Sequence, residues 1–140
     1  MPRYKHTQPG YVTAGALAAG AVGAYVTNRD APGWLRGLVT GSLALGSVLF
    51  SSLTVIVDAN TLRFYFGPGV WERRIPLDTI REVTIVRNSP LYGWGIRYTP
   101  HGWLYNVAGL DAVEVRTETE TFRLGTDEPD RLRRALTDAA

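Results

Sequence analysis

The chain contains no cysteine and only one methionine among its 140 residues. Without cysteine there is no disulfide, no thiolate zinc site and no thiol nucleophile. The absence indicates no particular compartment, because neither an oxidising nor a reducing environment requires cysteine. Whatever holds the protein together must therefore come from packing, hydrogen bonds and ion pairs.

Histidine is almost as scarce, since only His6 and His101 occur. Neither has a second ligand at metal-binding spacing, such as a histidine four residues away. No serine lies in a nucleophile-elbow pattern, and the acidic residues fall in turns or on alternating strand faces, where solvation is expected. The sequence therefore predicts no catalytic residue, no metal and no cofactor, and we expect a protein that is not an enzyme.

Charge is low and unevenly distributed along the chain. Residues 1–57 carry four basic residues and only Asp30 as an acid, whereas residues 58–140 carry 11 basic and 12 acidic residues. Nucleic-acid-binding domains usually present a basic face or stripe. The near-neutral C-terminal part argues against a nucleic-acid partner.

Two long segments have no charged residue at all. They span residues 7–28 and 37–57, and a turn-forming stretch, NRDAPGWLR, lies between them. A helix needs about 20 mainly apolar residues to cross a bilayer. The pattern predicts a transmembrane hairpin, with helices over about residues 11–28 and 35–52 and the lipid bilayer as a partner.

Other interpretations of the first segment are a signal peptide and a helix buried in a globular core. The second apolar segment follows too closely for a signal peptide, and the remaining 83 residues form too small a domain to enclose two such helices. Basic residues flank both helices with only a slight bias. We therefore expect the protein to lie in the cell membrane with two spans and with both termini in the cytoplasm.

Small residues recur four positions apart in both apolar segments. This spacing allows helix backbones to approach closely, although glycine and alanine are common in membrane helices anyway, and both interpretations stay open. The candidate helix-packing residues are Gly15, Ala19, Gly23, Gly37 and Gly41.

From about residue 53 the pattern changes to short alternating strands separated by turn residues. About seven strands are followed by an amphipathic helix near residues 128–138, with Leu132 and Leu136 on one face. We therefore divide the chain into an N-terminal arm with the hairpin, residues 1–52, and a β domain, residues 53–140.

Several stretches of the second part carry a resemblance to a known family. They are VDANTLRFYFGPG (57–69), IPLDTI (75–80), GWGIR (93–97), LYNVAG (104–109), AVEV (112–115) and LGTDEPDRL (124–132). The chain resembles small bacterial membrane proteins that pair a helical hairpin with a pleckstrin-homology-like (PH-like) domain. The resemblance implies an α+β fold, with a curled antiparallel sheet or barrel capped by a C-terminal helix. It implies no catalysis.

Arginines and one tryptophan are the best candidates for contact with a partner or a lipid headgroup: Arg73, Arg74, Arg97 and Trp94. Arg97 follows a glycine bend, where it is placed to meet a phosphate or a carboxylate, but an ion pair within the domain is the alternative. Trp94 is either a core residue or an interfacial anchor. The loop at residues 58–61 has no basic residue, unlike the first hairpin loop of phosphoinositide-binding PH domains.

These features predict a non-catalytic, membrane-anchored interaction module. Its PH-like domain is expected to bind a protein partner, another copy of itself or lipid headgroups. The alternative is a structural subunit of a larger membrane complex, which docks through the small-residue faces of the two helices.

Overall fold

The fold was obtained as a computed structural model, which describes residues 2–139. Strand β1 (Tyr4–Pro9) leads into helices α1 (Tyr11–Thr27) and α2 (Gly33–Leu49). Eight strands follow: β2 (Ser52–Val57), β3 (Thr61–Phe66), β4 (Glu72–Pro76), β5 (Ile80–Arg87), β6 (Gly95–Thr99), β7 (Gly102–Asn106), β8 (Asp111–Thr117) and β9 (Thr121–Gly125). The last element is helix α3 (Pro129–Ala139), and single 3₁₀ turns lie at Leu77–Thr79 and Pro90–Tyr92.

The strands form two sheets. One has four strands in the order β1-β2-β3-β4, and the other has five in the order β5-β8-β9-β7-β6. Neighbouring strands are antiparallel except β7 and β9, which run parallel. Burial alternates along β3, where Leu62, Phe64 and Phe66 are buried, as expected for a strand with one face on the core.

The core lies between the inner faces of the two sheets and is closed by α3. Phe64 and Phe122 lie at its centre with ring centroids 5.8 Å apart. Leu132 and Leu136 of α3 are fully buried in the same cluster. These leucines are four residues apart, so they lie on one face of the helix. The hydroxyl of Thr126 accepts a hydrogen bond from the backbone N–H of Glu128 and helps to begin α3.

The prediction of a transmembrane hairpin is wrong. Within residues 2–139, no helix is both long enough and apolar enough to cross a membrane. Helices α1 and α2 have 17 residues each, because the charge-free runs are divided between helix and strand. The start of the first run lies in β1, and the end of the second forms β2. The predicted two-span localisation and the predicted membership of a membrane-anchored family are wrong for the same reason.

The expected fold, a PH-like curled sheet of about seven strands behind a transmembrane hairpin, is also wrong. Residues 2–139 instead form a small α+β domain with two sheets of four and five strands and three helices. The N-terminal arm adds β1, which pairs with β2 from Tyr4 opposite Val57 to Pro9 opposite Ser52. Its sequence, YKHTQP, has no apolar alternation, so its pairing with β2 determines its conformation.

The pairing of β1 with β2 also determines where the helices emerge. Helices α1 and α2, hereafter the hairpin, connect the adjacent ends of these two paired strands. The backbone N–H of Gly10 donates to the carbonyl of Ser51 at 2.7 Å and closes the base of the hairpin. The hairpin is therefore an insertion held at both ends by one antiparallel ladder.

Candidate functional site

The two helices of the hairpin pack closely against each other. A Cβ added at Gly20 would lie 3.7 Å from Leu43 Cδ1, and one at Gly46 would lie 3.5 Å from Leu17 Cδ1. The hydroxyl of Ser47 donates to the carbonyl of Ala14 at 2.7 Å. These small residues set the close approach of the helices inside one chain.

The helix-packing residues named from the sequence do not lie in the contact between α1 and α2. Around Gly15, Gly23, Gly37 and Gly41, no atom outside the local helix lies within 4 Å of an added Cβ, and Ala19 is exposed. These residues form two open tracks on the outside of the hairpin, one on each helix. Their part in packing α1 against α2 is taken by Gly20 and Gly46, which lie in the other small-residue rows of the two helices, Ala16/Gly20/Ala24 and Ser42/Gly46.

Large apolar side chains flank the open tracks and are themselves exposed. Val22 is 65% exposed, Leu38 is 60% and Leu45 is 59%. Trp34 and Val48 of α2 are exposed as well. Patches of this kind mark interaction sites in monomeric proteins. The apolar exposed surface of the hairpin is thus the first candidate functional feature.

Two of the predicted contact residues are engaged within the domain. Arg73 forms an ion pair with Glu120 and donates to the Tyr105 hydroxyl at 2.6 Å. Arg74 pairs with Glu72 at 2.6 Å on the surface. The structure therefore gives both arginines local structural partners.

The structure brings the other two, Trp94 and Arg97, together. The indole N–H of Trp94 donates to the carbonyl of Gly109 at 3.1 Å. The Nε of Arg97 donates to the carbonyl of Trp94 at 3.1 Å. Within residues 2–139, Arg97 forms no ion pair, and it is exposed.

Trp94 and Arg97 line a groove of about 560 Å³ at the base of the hairpin, hereafter the basal groove. Its apolar walls come from three separate parts of the chain: Val12, Ala16 and Leu17 of α1, Phe50 after α2, and Trp94 and Ile96 at β6. Sequence reasoning missed the wall residues of α1 and Phe50. No sequence signal links them to β6, because long-range folding alone brings them together.

The base of the hairpin is held firmly against the sheets. The hydroxyl of Thr13 donates to the carbonyl of Val107 at 2.6 Å. Gly67, with a φ of 53°, lies so close to the end of α2 that an added Cβ would be 2.7 Å from the carbonyl oxygens of Val48 and Leu49. These contacts fix the first turn of α1 and the last turn of α2 next to the basal groove.

Two larger surface cavities offer less defined chemistry. One, of about 780 Å³, is lined by residues that include Asp78 and Arg81, and Arg81 pairs with Glu118. The other, of about 590 Å³, contains His101, Glu114 and Glu120. Both of its carboxylates are already paired with arginines, Glu114 with Arg123 and Glu120 with Arg73. Across residues 2–139, no group of three potential metal ligands is found.

The perturbed titrating groups are tyrosines with structural roles. Burial, together with a hydrogen bond from its hydroxyl to Glu128, raises the pKa of Tyr4 well above its usual range. Burial likewise raises the pKa of Tyr105, although the nearby Arg73 opposes the shift. Both phenols are therefore neutral at physiological pH and act as hydrogen-bonding core residues.

Comparison with known proteins adds no family to this description. No protein-family model matches the chain, and a search of curated proteins gave no match.

Proposed function

We propose that this protein is a non-catalytic interaction module that associates with a second copy of itself through the outer surface of the hairpin. The observation that carries the proposal is the pair of open glycine tracks beside exposed valines and leucines. Inside the chain, Gly20 and Gly46 already serve the helix–helix contact, so the outer tracks are left for another surface.

The area of the hairpin is at the lower limit for a specific contact. A helix of 17 residues is about 25 Å long. Two such helices side by side, each about 10 Å wide, present about 500 Å². Burying this face on two copies removes about 1,000 Å² from water, which is the lower limit for a specific interface and suits a weak or transient contact.

The surface is also complementary to itself. Each open track has a projecting side chain beside it, Val22 next to Gly23 on α1 and Leu38 next to Gly37 on α2, so the same track of a second copy can receive it. A twofold contact uses the same patch on both copies, so this combination suits a symmetric dimer. No charged residue lies between Gly37 and Leu49, so the surface of α2 sets no requirement for an oppositely charged partner.

The absence of cysteine allows a direct test. A single cysteine at position 15, 19, 23, 37 or 41 can form a disulfide only with a second copy. Bridging requires Cα atoms about 4.4–6.8 Å apart, so mild oxidation should give covalent dimers at the positions nearest the twofold axis. Thr119→Cys, in the exposed turn between β8 and β9, is the matched control and should stay monomeric.

Two outcomes would overturn the proposal. The first is that none of the five positions gives more dimer than Thr119→Cys. The second is that the five cysteines are shielded from a water-soluble thiol reagent only when lipid vesicles or another protein are added. In that case lipid chains, or a subunit of a larger complex, occupy the hairpin instead of a second copy.

A further inference from the structure

We propose that the basal groove binds a single-chain amphiphile with an anionic head, such as a long-chain carboxylate or an alkyl phosphate. The alkyl chain would lie along the walls formed by Val12, Ala16, Leu17, Phe50 and Ile96. The head would meet the guanidinium of Arg97. This site does not depend on self-association of the hairpin.

The size and composition of the groove fit a small amphiphile. Its volume of about 560 Å³ lies within the range of about 300–1,000 Å³ that is usual for ligand sites. Such sites are mainly apolar, with a few polar groups that fix the orientation of the ligand. Here the apolar walls surround one charged side chain, Arg97.

Charge determines the head group. Arg97 is the one charged residue in the lining of the groove, and no carboxylate within residues 2–139 pairs with it. Its Nε donates to the carbonyl of Trp94, and within residues 2–139 neither terminal nitrogen has a hydrogen-bond partner. A guanidinium matches the two oxygens of a carboxylate or phosphate. A cationic head would meet the same charge and be repelled.

The groove is formed before any ligand arrives. Trp94 is held through its indole N–H by Gly109. Thr13 ties the first turn of α1 to the carbonyl of Val107. Gly93 has no side chain, and an added Cβ there would lie 3.3 Å from Arg97 Nε. Binding therefore requires little ordering of the walls, which lowers its entropic cost.

The test measures binding of three twelve-carbon probes to the full chain by isothermal titration calorimetry, below the concentrations at which they form micelles. The probes are dodecanoate, dodecyl phosphate and dodecyltrimethylammonium. We expect saturable binding of one or both anionic probes and at least tenfold weaker binding of the cationic one. The ratio of the two anionic affinities distinguishes a carboxylate from a phosphate ligand.

Two variants test the residues. Arg97→Gln removes the charge and shortens the side chain, and it should weaken anionic binding about tenfold or more, as for loss of a charge-assisted hydrogen bond. Ala16→Trp, at an exposed position of α1, should block the groove while Arg97 stays in place. Arg87→Gln is the matched control, because Arg87 is an exposed arginine on β5 whose side chain pairs with Asp111.

The proposal is overturned if the cationic probe binds as well as the anionic ones, or if no anionic probe binds. It is also overturned if Arg97→Gln and Arg87→Gln give the same affinity while both retain the wild-type circular dichroism spectrum. Should Arg97→Gln not fold, the result for Ala16→Trp decides, since retained binding in that variant excludes the groove.

Discussion

Gly67 is the position where the attachment of the hairpin can be tested most sharply. Its φ of 53° is unfavourable for other residues, and an added Cβ would lie 2.7 Å from two carbonyl oxygens of α2. We expect Gly67→Ala to cost about 1–2 kcal/mol for the left-handed backbone. Displacing the tightly packed end of α2 should add about 1–3 kcal/mol. The total loss in the free energy of unfolding is then about 2–5 kcal/mol.

Gly109 provides the control for this substitution. Its φ is 68°, but nothing lies within 4 Å of an added Cβ. Gly109→Ala should therefore pay only the backbone cost, about 1–2 kcal/mol. The reduced entropy of the unfolded chain affects both variants alike and cancels in the comparison.

Urea unfolding, followed by tryptophan fluorescence at one fixed protein concentration, measures both variants. The difference between them isolates the contact of Gly67 with α2, and we expect about 1–3 kcal/mol. If the two substitutions destabilise the protein equally, within about 0.5 kcal/mol, then α2 does not pack against Gly67 and the hairpin is not fixed as described.

Three further predictions use the same unfolding assay. Leu132→Ala should lower the free energy of unfolding by about 2–5 kcal/mol because it leaves a cavity in the core. The control Arg133→Ala, on the exposed face of α3, should change it by about 0.5 kcal/mol or less. Equal effects of the two substitutions would mean that α3 does not close the core. Arg123→Met should lower the free energy of unfolding by about 1–3 kcal/mol, because it leaves Glu114 and the amide oxygen of Asn88 without their partner. Its control, Arg116→Met, removes an exposed pair with Glu82 and should lower it by less than about 1 kcal/mol. Folding raises the pKa of Tyr4 and Tyr105 above that of the unfolded chain, so their contribution to stability should be complete below about pH 10 and lost at higher pH. Tyr4→Phe should reduce this loss of stability at alkaline pH. An unchanged dependence of stability on pH in that variant would contradict the raised pKa of Tyr4.

Local patterns predicted the elements that depend on neighbouring residues. The turn at Asp58–Asn60 and the apolar alternation of Leu62, Phe64 and Phe66 both belong to the β2–β3 hairpin. The four-residue spacing of Leu132 and Leu136 places them on the buried face of α3. In each case, the residues that carry the signal are close together in the sequence.

The wrong predictions arose where distant segments decide the structure. The charge-free runs suggested membrane spans because of their length, although residues 7–9 and 52–57 at their ends pair as β1 and β2. The parallel pairing of β7 with β9 also depends on contacts between distant segments. The basal groove could not be predicted from the sequence for the same reason, since α1, Phe50 and β6 meet only in the folded chain. Trp94 and Arg97 were named individually, but their common site was not.

The most direct test of the proposed function is the molar mass of the full chain by sedimentation equilibrium over a range of concentrations. We expect the mass to rise from 15.4 kDa toward twice that value. A Gly15→Leu/Gly23→Leu variant fills one open track, and its added Cβ atoms lie in open space, so it should remain at 15.4 kDa. A wild-type mass of 15.4 kDa at every concentration, or equal association by the variant, would contradict self-association through the hairpin.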